Sequence, residues 1–598
     1  MPISVADYIF QRVAEVGVRD VFLVSGGWIM HLSDAVHKNE KLNYIVNYHE
    51  QSCAIGAEAY ARVNEKLGVC LVTAGPGSTN ALTGVAGAYV DSIPMLVVSG
   101  QVRTAIMADP SYQRQVGPQE IFIDPMAKPV TKHFVTLMDA ADTRYEIEKC
   151  LHLAMSGRPG PTWINVPLDI QPVMIEPEAQ RSYTPEEDAK PRIDPKDLEK
   201  IAGLLAKAKR PVIIGGNGVI LSGARNEFRR LVEKFNIPAM LTISAMDLLP
   251  EEFPLFQGRF GPGGQRRANF ALQNSDFVLA IGTSLSISCI GFNDRFAPKA
   301  QKVLVNIDPG DLEKKNVTIE HSVLADAKDF IGQLSAQFSD GEYSVPQRWL
   351  DACAGWKRDY PLMLPEELIQ TESVDAYRFY EEMSRQLGDD DIVLSGNSLD
   401  GCIIAYQAHR VKARQRAFTS VCFGAMGWDI PALVGACAAD RSRRGVLISG
   451  DGSLLFNVQE LMVLGKLRMN AKIFMSNNEG YASIRGTQDR FCEGRHIGVD
   501  ADSGVANPDF VALAKAFGIN YIRIETNDEL AEKIAIALAD DQPWLIDMNV
   551  SQKQQRFRAT SYRKEDGTMA SRPIEDMDPL LPRDELERIM TMFDDEMA

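Results

Sequence analysis

A chain of 598 residues is too long for one hydrophobic core, and two to four domains are expected. Its 45% hydrophobic and 24% charged residues are ordinary for a globular protein in water. The net charge of −17, spread without long single-sign blocks, argues against the concentrated basic face that a nucleic-acid role needs.

The N-terminal stretch MPISVADYIFQRVAEVGV carries Asp7 in an amphipathic helical pattern, so no signal peptide is expected. No apolar run is long enough to span a bilayer, and a cytoplasmic location is the expectation. Short apolar strands then alternate with helical patterns: Asp20 to Val24, Tyr44 to Val46, Gly68 to Val72 and Met95 to Val98. Regular alternation of this kind predicts a parallel sheet covered by helices on both faces, with ligands at the carboxyl ends of its strands.

Three loops fall at such ends. Ser25-Gly26-Gly27-Trp28 offers paired glycines for close backbone approach. Asn47-Tyr48-His49-Glu50-Gln51 places Glu50 at the start of a helix, where an acid also serves as a dipole partner. Thr73-Ala74-Gly75-Pro76-Gly77-Ser78-Thr79-Asn80 is too rich in glycine to be only a connection. Nine cysteines, scattered from Cys53 to Cys492 without a C-x-x-C pair, read as reduced core thiols rather than a zinc or redox motif.

A proline- and charge-rich linker from Gln180 to Asp194 leads to a second α/β unit, with strands at Pro211 to Ile214, Pro238 to Leu241, Phe277 to Ile281 and Val303 to Asp308. Its Gly215-Gly216-Asn217-Gly218 is not the G-x-G-x-x-G pattern of dinucleotide sites. A second linker, Pro361 to Ser373, precedes the last unit, where Ile392 to Leu394 leads to the polar Ser395-Gly396-Asn397-Ser398. Boundaries of 1–180, 192–345 and 370–555 follow, with a tail at 556–598. The fold class expected is α/β, three doubly wound parallel-sheet domains plus that tail.

The stretch Val446 to Arg485 carries the chemistry. An apolar strand turns at Gly450-Asp451-Gly452-Ser453 into a helix, and a second apolar strand ends at Asn477-Asn478, with twenty-four residues between Gly452 and that pair. Magnesium takes hard oxygen ligands and is usually held by one or two protein groups plus phosphates. Asp451 and Asn478 at the ends of neighbouring parallel strands would supply two such oxygens, and a backbone carbonyl near Gly480 a third. The turn amides from Gly450 to Leu454 open a helix, whose dipole favours a phosphate. A bound diphosphate is implied.

GDG, a spacer of this length and NN resemble the motif of the thiamin-diphosphate enzymes. The run from Thr73 to Val102, TAGPGSTNALTGVAGAYVDSIPMLVVSGQV, and Phe423-Gly424-Ala425-Met426-Gly427-Trp428 are similar to the acetolactate-synthase-like branch of that family, the catalytic large subunit. The resemblance extends from about residue 3 to residue 550. It implies that Asp451, Asn478 and the Gly480 carbonyl bind Mg2+, which holds the cofactor's diphosphate. It implies a catalytic Glu50, whose carboxylate bonds the aminopyrimidine and favours the tautomer that deprotonates the thiazolium. Gln119, in Gln119-Glu120, would lie near the thiazolium, where this chain has Pro118 instead of the branch's Phe.

The resemblance further implies cofactor contacts from Gly26, Gly27, Pro76, Asn80, Asn397, Ser398, Gly452, Ser453 and Tyr481. Gly424 would bond the aminopyrimidine through its carbonyl, and Met426 would wedge between the two rings. His31 and His49 read as structural or wall residues. At least a homodimer is implied, a tetramer being compatible, with Glu50 of one chain serving the Asp451 site of its partner.

Two departures fall on the acceptor side. Ser284, Leu285, Ser286, Ile287 and Ser288 stand where the branch carries R-F-D-D-R, so an arginine that helps FAD bind and one that grips the acceptor's carboxylate are both replaced. A serine cannot reproduce an arginine fork. FAD is therefore left open, and so is a keto-acid acceptor. Gly486-Thr487 occupy the region of the branch's acceptor-selecting tryptophan. The expected function is a carboligase that decarboxylates a 2-keto acid such as pyruvate and passes the acyl unit to a carbonyl acceptor that need not be pyruvate, a keto-sugar derivative among the candidates. A decarboxylase, a sulfoacetaldehyde-type acetyl-transferring lyase and a non-catalytic binding or regulatory relative are the alternatives. The tail from Gln552 is expected to lie over the site as a lid or to be partly mobile.

Overall fold

The computed structural model describes residues 1–185, 190–292, 295–339, 341–420 and 422–596. Residues 186–189, inside the first expected linker, lie outside it. Three six-stranded sheets form, each wholly parallel. The strands Gly68–Val72, Phe277–Ile281 and Gly445–Gly450 are buried along their whole length, as parallel strands covered on both faces must be.

From edge to edge the first sheet runs Asn43–Val46, Asp20–Leu23, Gly68–Val72, Met95–Gln101, Pro161–Pro167 and His133–Thr136. The third runs Arg416–Phe418, Ile392–Ser395, Gly445–Gly450, Ala471–Asn477, Trp544–Asn549 and Asn520–Ile524. Counting strands from one within each domain, both orders are 2-1-3-4-6-5, so the two outer domains share one topology. The middle sheet, Phe256–Arg259, Ala239–Leu241, Pro211–Gly215, Phe277–Ile281, Gln301–Asn306 and His321–Leu324, has the 3-2-1-4-5-6 order of a Rossmann fold.

The outer domains are joined back to back through two helices, Glu50–Asn64 and Asp429–Ala439. Trp428 Nε1 donates to Glu58 Oε2 at 2.6 Å, and Glu58 is ion-paired in turn with Arg62 at 2.5 Å. Glu460, fully buried, accepts from Asn47 Nδ2 and from the Tyr48 backbone N–H, both at 2.9 Å. Burial pushes the Glu460 carboxyl up, and these donors counter it.

The tail leaves the third sheet beside Asn477, whose carbonyl accepts from Val550 N at 3.1 Å. It reaches the middle domain at Ala559, whose N–H donates to Pro262 O at 2.8 Å, forms a short hairpin, Ser561–Arg563 with Met569–Ser571, and then runs over that domain. There Asn269 Nδ2 donates to Ile574 O at 2.8 Å and Gln273 Nε2 to Glu575 Oε2 at 2.8 Å. Phe593, 1% exposed, stands edge-on to Trp349 at 5.5 Å, with the Arg210 and Arg348 guanidiniums over its ring. The last part of the tail is thus packed on the middle domain, and only its first few residues lie at the mouth of the third. No helix among the described residues is long and apolar enough to cross a membrane.

Candidate active site

Ligands in open α/β sheets bind beyond the carboxyl ends of the strands, where the strand order reverses. In the outer domains that point lies between the first and third strands. In the first domain it is formed by the loops after Leu23 and Val72, and in the third by those after Ser395 and Gly450.

The first-domain loops converge. Gly26 lies so near Thr73 that a Cβ would meet its side chain at 2.6 Å, while the space over Gly27 is open. Gly75 has a φ of +63°, and its bare face receives the Gln119 carbonyl oxygen, 2.2 Å from where a Cβ would be. Gln119 is itself left-handed, with φ 63°. Its loop is anchored by the buried Glu120, which accepts from the N–H groups of Ala108, Val116 and Gly117. Pro76 takes the first position of the helix Pro76–Val90.

Glu50 opens its own helix, capped by His49, whose Nδ1 accepts from Gln51 N at 3.1 Å. The Glu50 carboxylate accepts from Asn80 Nδ2 at 2.9 Å and packs over Gly77. The structure therefore brings Gly26, Gly77, Asn80, Gln119 and Glu50 to one crevice. The surface flanking Glu50 exposes Tyr44, Val46 and Tyr48.

In the third domain Asp451 is fully buried at the turn. Its Oδ1 accepts from Gly452 N at 2.9 Å, and its Oδ2 from Gly480 N at 2.9 Å and Asn507 Nδ2 at 2.7 Å. Burial pushes the carboxyl up, and these donors counter it. Around it lie buried oxygens with no hydrogen-bond partner: Asn478 Oδ1, Asn507 Oδ1, both Asp400 carboxylate oxygens and Ser476 Oγ. Unmatched buried acceptors cost about 1–3 kcal/mol each unless something completes them. One carboxylate and amide oxygens are a hard-oxygen donor set, which fits Mg2+. The Tyr481 ring closes over the bare face of Gly452.

The Gly424-Ala425-Met426-Gly427 loop is bolted to this turn. Gly427 N donates to Ser453 Oγ at 3.1 Å, and Asn457 Nδ2 donates to Gly427 O at 2.7 Å. Met426 is half-exposed beside them. Asn397 Nδ2 donates to the Gly424 carbonyl at 2.5 Å, leaving that oxygen's second lone pair. Ser398 Oγ caps its own turn by accepting from Gly401 N at 2.8 Å.

Sequence reasoning missed Asn507, Asp400 and Glu460. Asn507 sits in an irregular loop with no periodic signal, while Asp400 follows Ser398 by two residues and was within reach. Among the described residues, no hydrogen bond joins the Glu50 carboxylate to the third domain, and none joins Asp451 to the first. Inside one chain the two domains meet through Glu460 with Asn47 and Tyr48, and neither catalytic carboxylate bonds across that joint. Phe423, beside Gly424, lies instead near Gly87, at the far end of the helix that carries Asn80.

The middle domain holds a cavity of about 520 Å³ at its own switch point, lined by Gly218, Gly282, Thr283, Ser284, Ser286 and Ser288. Arg158, which also lines it, pairs with Asp308 at 2.7 Å and Asp311 at 3.2 Å, and Lys190 pairs with Asp326 at 3.4 Å. The cavity matches a dinucleotide in place and size, but its cations are already engaged by carboxylates. The serine run does not fit the arginine grip on a flavin.

Two switch points, one with a helix-opening carboxylate and one with a carboxylate and amide nest over a glycine turn, define an α/β enzyme built around a diphosphate cofactor. The thiamine pyrophosphate enzyme models match in chain order: the N-terminal TPP binding domain at residues 3–127, the central domain at 198–334 and the C-terminal TPP binding domain at 401–548. The acetolactate synthase large subunit of Cyanidium caldarium is 30% identical over 555 residues, covering 89% of this chain and 91% of that protein. The probable acetolactate synthase large subunit of Methanocaldococcus jannaschii is 31% identical over 552 residues, 91% of each. The acetolactate synthase isozyme 1 large subunit of Escherichia coli is 28% identical over 553 residues, 92% of this chain and 95% of that one. The chain belongs to the thiamine pyrophosphate enzymes, in their acetolactate-synthase-like branch. It is a thiamin-diphosphate-dependent enzyme of carbon–carbon bond formation.

Proposed function

We propose that this carboligase takes its acyl unit from a 2-keto acid, pyruvate being the simplest, and delivers it to a ketone or aldehyde other than pyruvate. Bound thiamin diphosphate supplies the carbon nucleophile and the electron sink for decarboxylation. Asp451, Asn478 and the Gly480 carbonyl hold Mg2+ against the diphosphate, and the Gly450 to Ser453 turn faces it with backbone N–H groups. Gly424 and Met426 would hold the two rings of the bound cofactor, with Asn397, Ser398 and Tyr481 around it. Gly26, Gly27, Pro76 and Asn80 line the opposite wall. Glu50 holds and moves the proton at the aminopyrimidine, with Asn80 orienting its carboxylate and Gln119 close by.

Glu50 and Asp451 belong to separate half-sites of one chain. The reading therefore calls for at least a dimer in which Glu50 of one chain faces the Asp451 nest of its partner. The apolar side chains exposed around each half-site, Tyr44 and Tyr48 on one and Phe456 and Ile484 on the other, support such a contact. No step is routed through a flavin.

The observation that carries the acceptor reading is the chemistry at Ser284 to Ser288 and at Thr487. Ser286 Oγ and Ser288 Oγ bond each other at 2.7 Å, and Thr487 Oγ1 donates to Ser483 O of its own helix. The residues at these positions themselves carry neither a guanidinium nor a large ring to select a second keto acid. The test is incubation with thiamin diphosphate, Mg2+ and pyruvate, alone and with added ketones or aldehydes, with products identified by NMR. Mixed products are expected. Efficient formation of acetolactate from pyruvate alone would overturn the acceptor reading.

A further inference from the structure

The mouth of the third domain carries three arginines that the reading above does not use. Arg490 lies near the end of the helix Ala482–Phe491, which starts just after the Asn477-Asn478 pair. Arg556 and Arg558 lie on the tail beyond its Val550 contact with Asn477, flanking Phe557, whose carbonyl accepts from Gln407 Nε2 at 2.7 Å, and Arg558 N donates to Asp578 O at 3.2 Å. Among the described residues, none of the three guanidiniums forms an ion pair or a side-chain hydrogen bond, and Arg556 Nη1 is buried without a partner. Neighbouring arginines are matched: Arg485 pairs with Asp500 at 3.0 Å and Arg495 with Glu493 at 2.6 Å.

The three are also close enough to repel. Burial, and then Arg558 and Arg490, push Arg556 down to about 10, and burial and Arg490 lower Arg558 as well. The acids in electrostatic reach are Asp400, facing Arg556, and Asp578, facing Arg558. Burial pushes the Asp400 carboxyl up to about 6, so it stays mostly ionised at neutral pH, but two carboxylates do not match three guanidiniums. Arg556 and Arg558 are half-buried and Arg490 is exposed beside Phe491, and like charges with open donor capacity are destabilising where they are partly desolvated unless an anion completes them.

We propose that Arg490, Arg556 and Arg558 form the receiving site for a phosphoryl group carried by the acceptor, a site that rests on the carboligase reading above. A carboxylate is satisfied by one bidentate fork, whereas a phosphoryl group carries about −1.5 to −2 charges and several acceptor oxygens. Three guanidiniums match the second demand. The site adds recognition at a distance from the reacting carbonyl, where the acceptor loses the family's arginine.

Calorimetry on enzyme loaded with thiamin diphosphate and Mg2+ tests this, with dihydroxyacetone phosphate and dihydroxyacetone as paired probes. The phosphorylated probe is expected to bind at least about tenfold tighter, and R490A and R558A should each remove most of that difference. R558K, which keeps the charge without the fork, should fall between, and R495A should change nothing. Failure of the phosphorylated probe to bind at millimolar concentration, or equal binding by R490A and R558A, overturns the proposal. So does a loss of thiamin diphosphate affinity with probe binding intact, because the arginines would then serve the cofactor. Failure of the carboligase reading itself would show separately, as no carbon dioxide released from pyruvate by the unaltered enzyme.

Discussion

Gly435 lies against Gly56 so closely that a Cβ on Gly435 would stand 2.1 Å from the Gly56 carbonyl oxygen. This is where the helix that begins with Glu50 meets the helix that follows the Gly424 to Trp428 loop. The contact fixes how the two outer domains are set against each other, and so where each half-site points.

G435A is therefore expected to push the helices apart. Overpacking of this kind costs about 1–3 kcal/mol. Thermal melts should show a lower midpoint, and an unchanged one would mean that the joint yields freely.

E50Q should cut turnover by roughly 100-fold or more, the scale of a lost acid–base group. The Mg2+ site should stay intact, since Glu50 hydrogen-bonds Asn80 and not the Asp451 nest. Undiminished product formation by E50Q would remove Glu50 from the chemistry.

N507A removes the donor that reaches Asp451 Oδ2 at 2.7 Å and Asn477 Oδ1 at 3.3 Å. Losing a hydrogen bond to a charged acceptor costs about 1.5–3 kcal/mol, which predicts Mg2+ binding weaker by about tenfold or more. Titration of the metal against cofactor binding would read this directly. Wild-type affinity in N507A would make the bond incidental.

His409 is buried, with Nε2 unpartnered, and burial first and Arg259 second push its imidazole down to about 3. A base depressed in the folded state contributes stability above its unfolded value, about 6.5, and loses it as pH falls towards the folded value. Stability should therefore decline as the pH drops from about 6.5 towards 3, by up to about 1.4 kcal/mol per unit from this group. H409L should flatten that decline. A parallel curve for H409L would assign the acid sensitivity elsewhere.

The glycine turns and the fully apolar strands were legible because their signals are local. Gly68–Val72 and Phe277–Ile281 form with the expected bounds, since each is an unbroken apolar run. Pro161–Pro167 was missed: Thr162 and Asn165 interrupt its pattern, and only tertiary partners such as Ser99, bonded to Asn165 at 2.8 Å, make their burial affordable. Arg416–Phe418 is too short to announce itself, and Asn520–Ile524 alternates because it is an edge strand. In the site, Asp451 was readable from its turn. Asn507 reaches it from a loop whose position depends on the folded third domain, and no spacing rule points to it.

Phe593 gives the chain an unusual order of completion. Its ring fills a place between Trp349 and the Arg210 and Arg348 guanidiniums, in a domain whose sheet is built more than two hundred residues earlier. Domains generally fold in the order in which they are synthesised. Here the middle one keeps its aromatic seat open until Phe593 itself has been made.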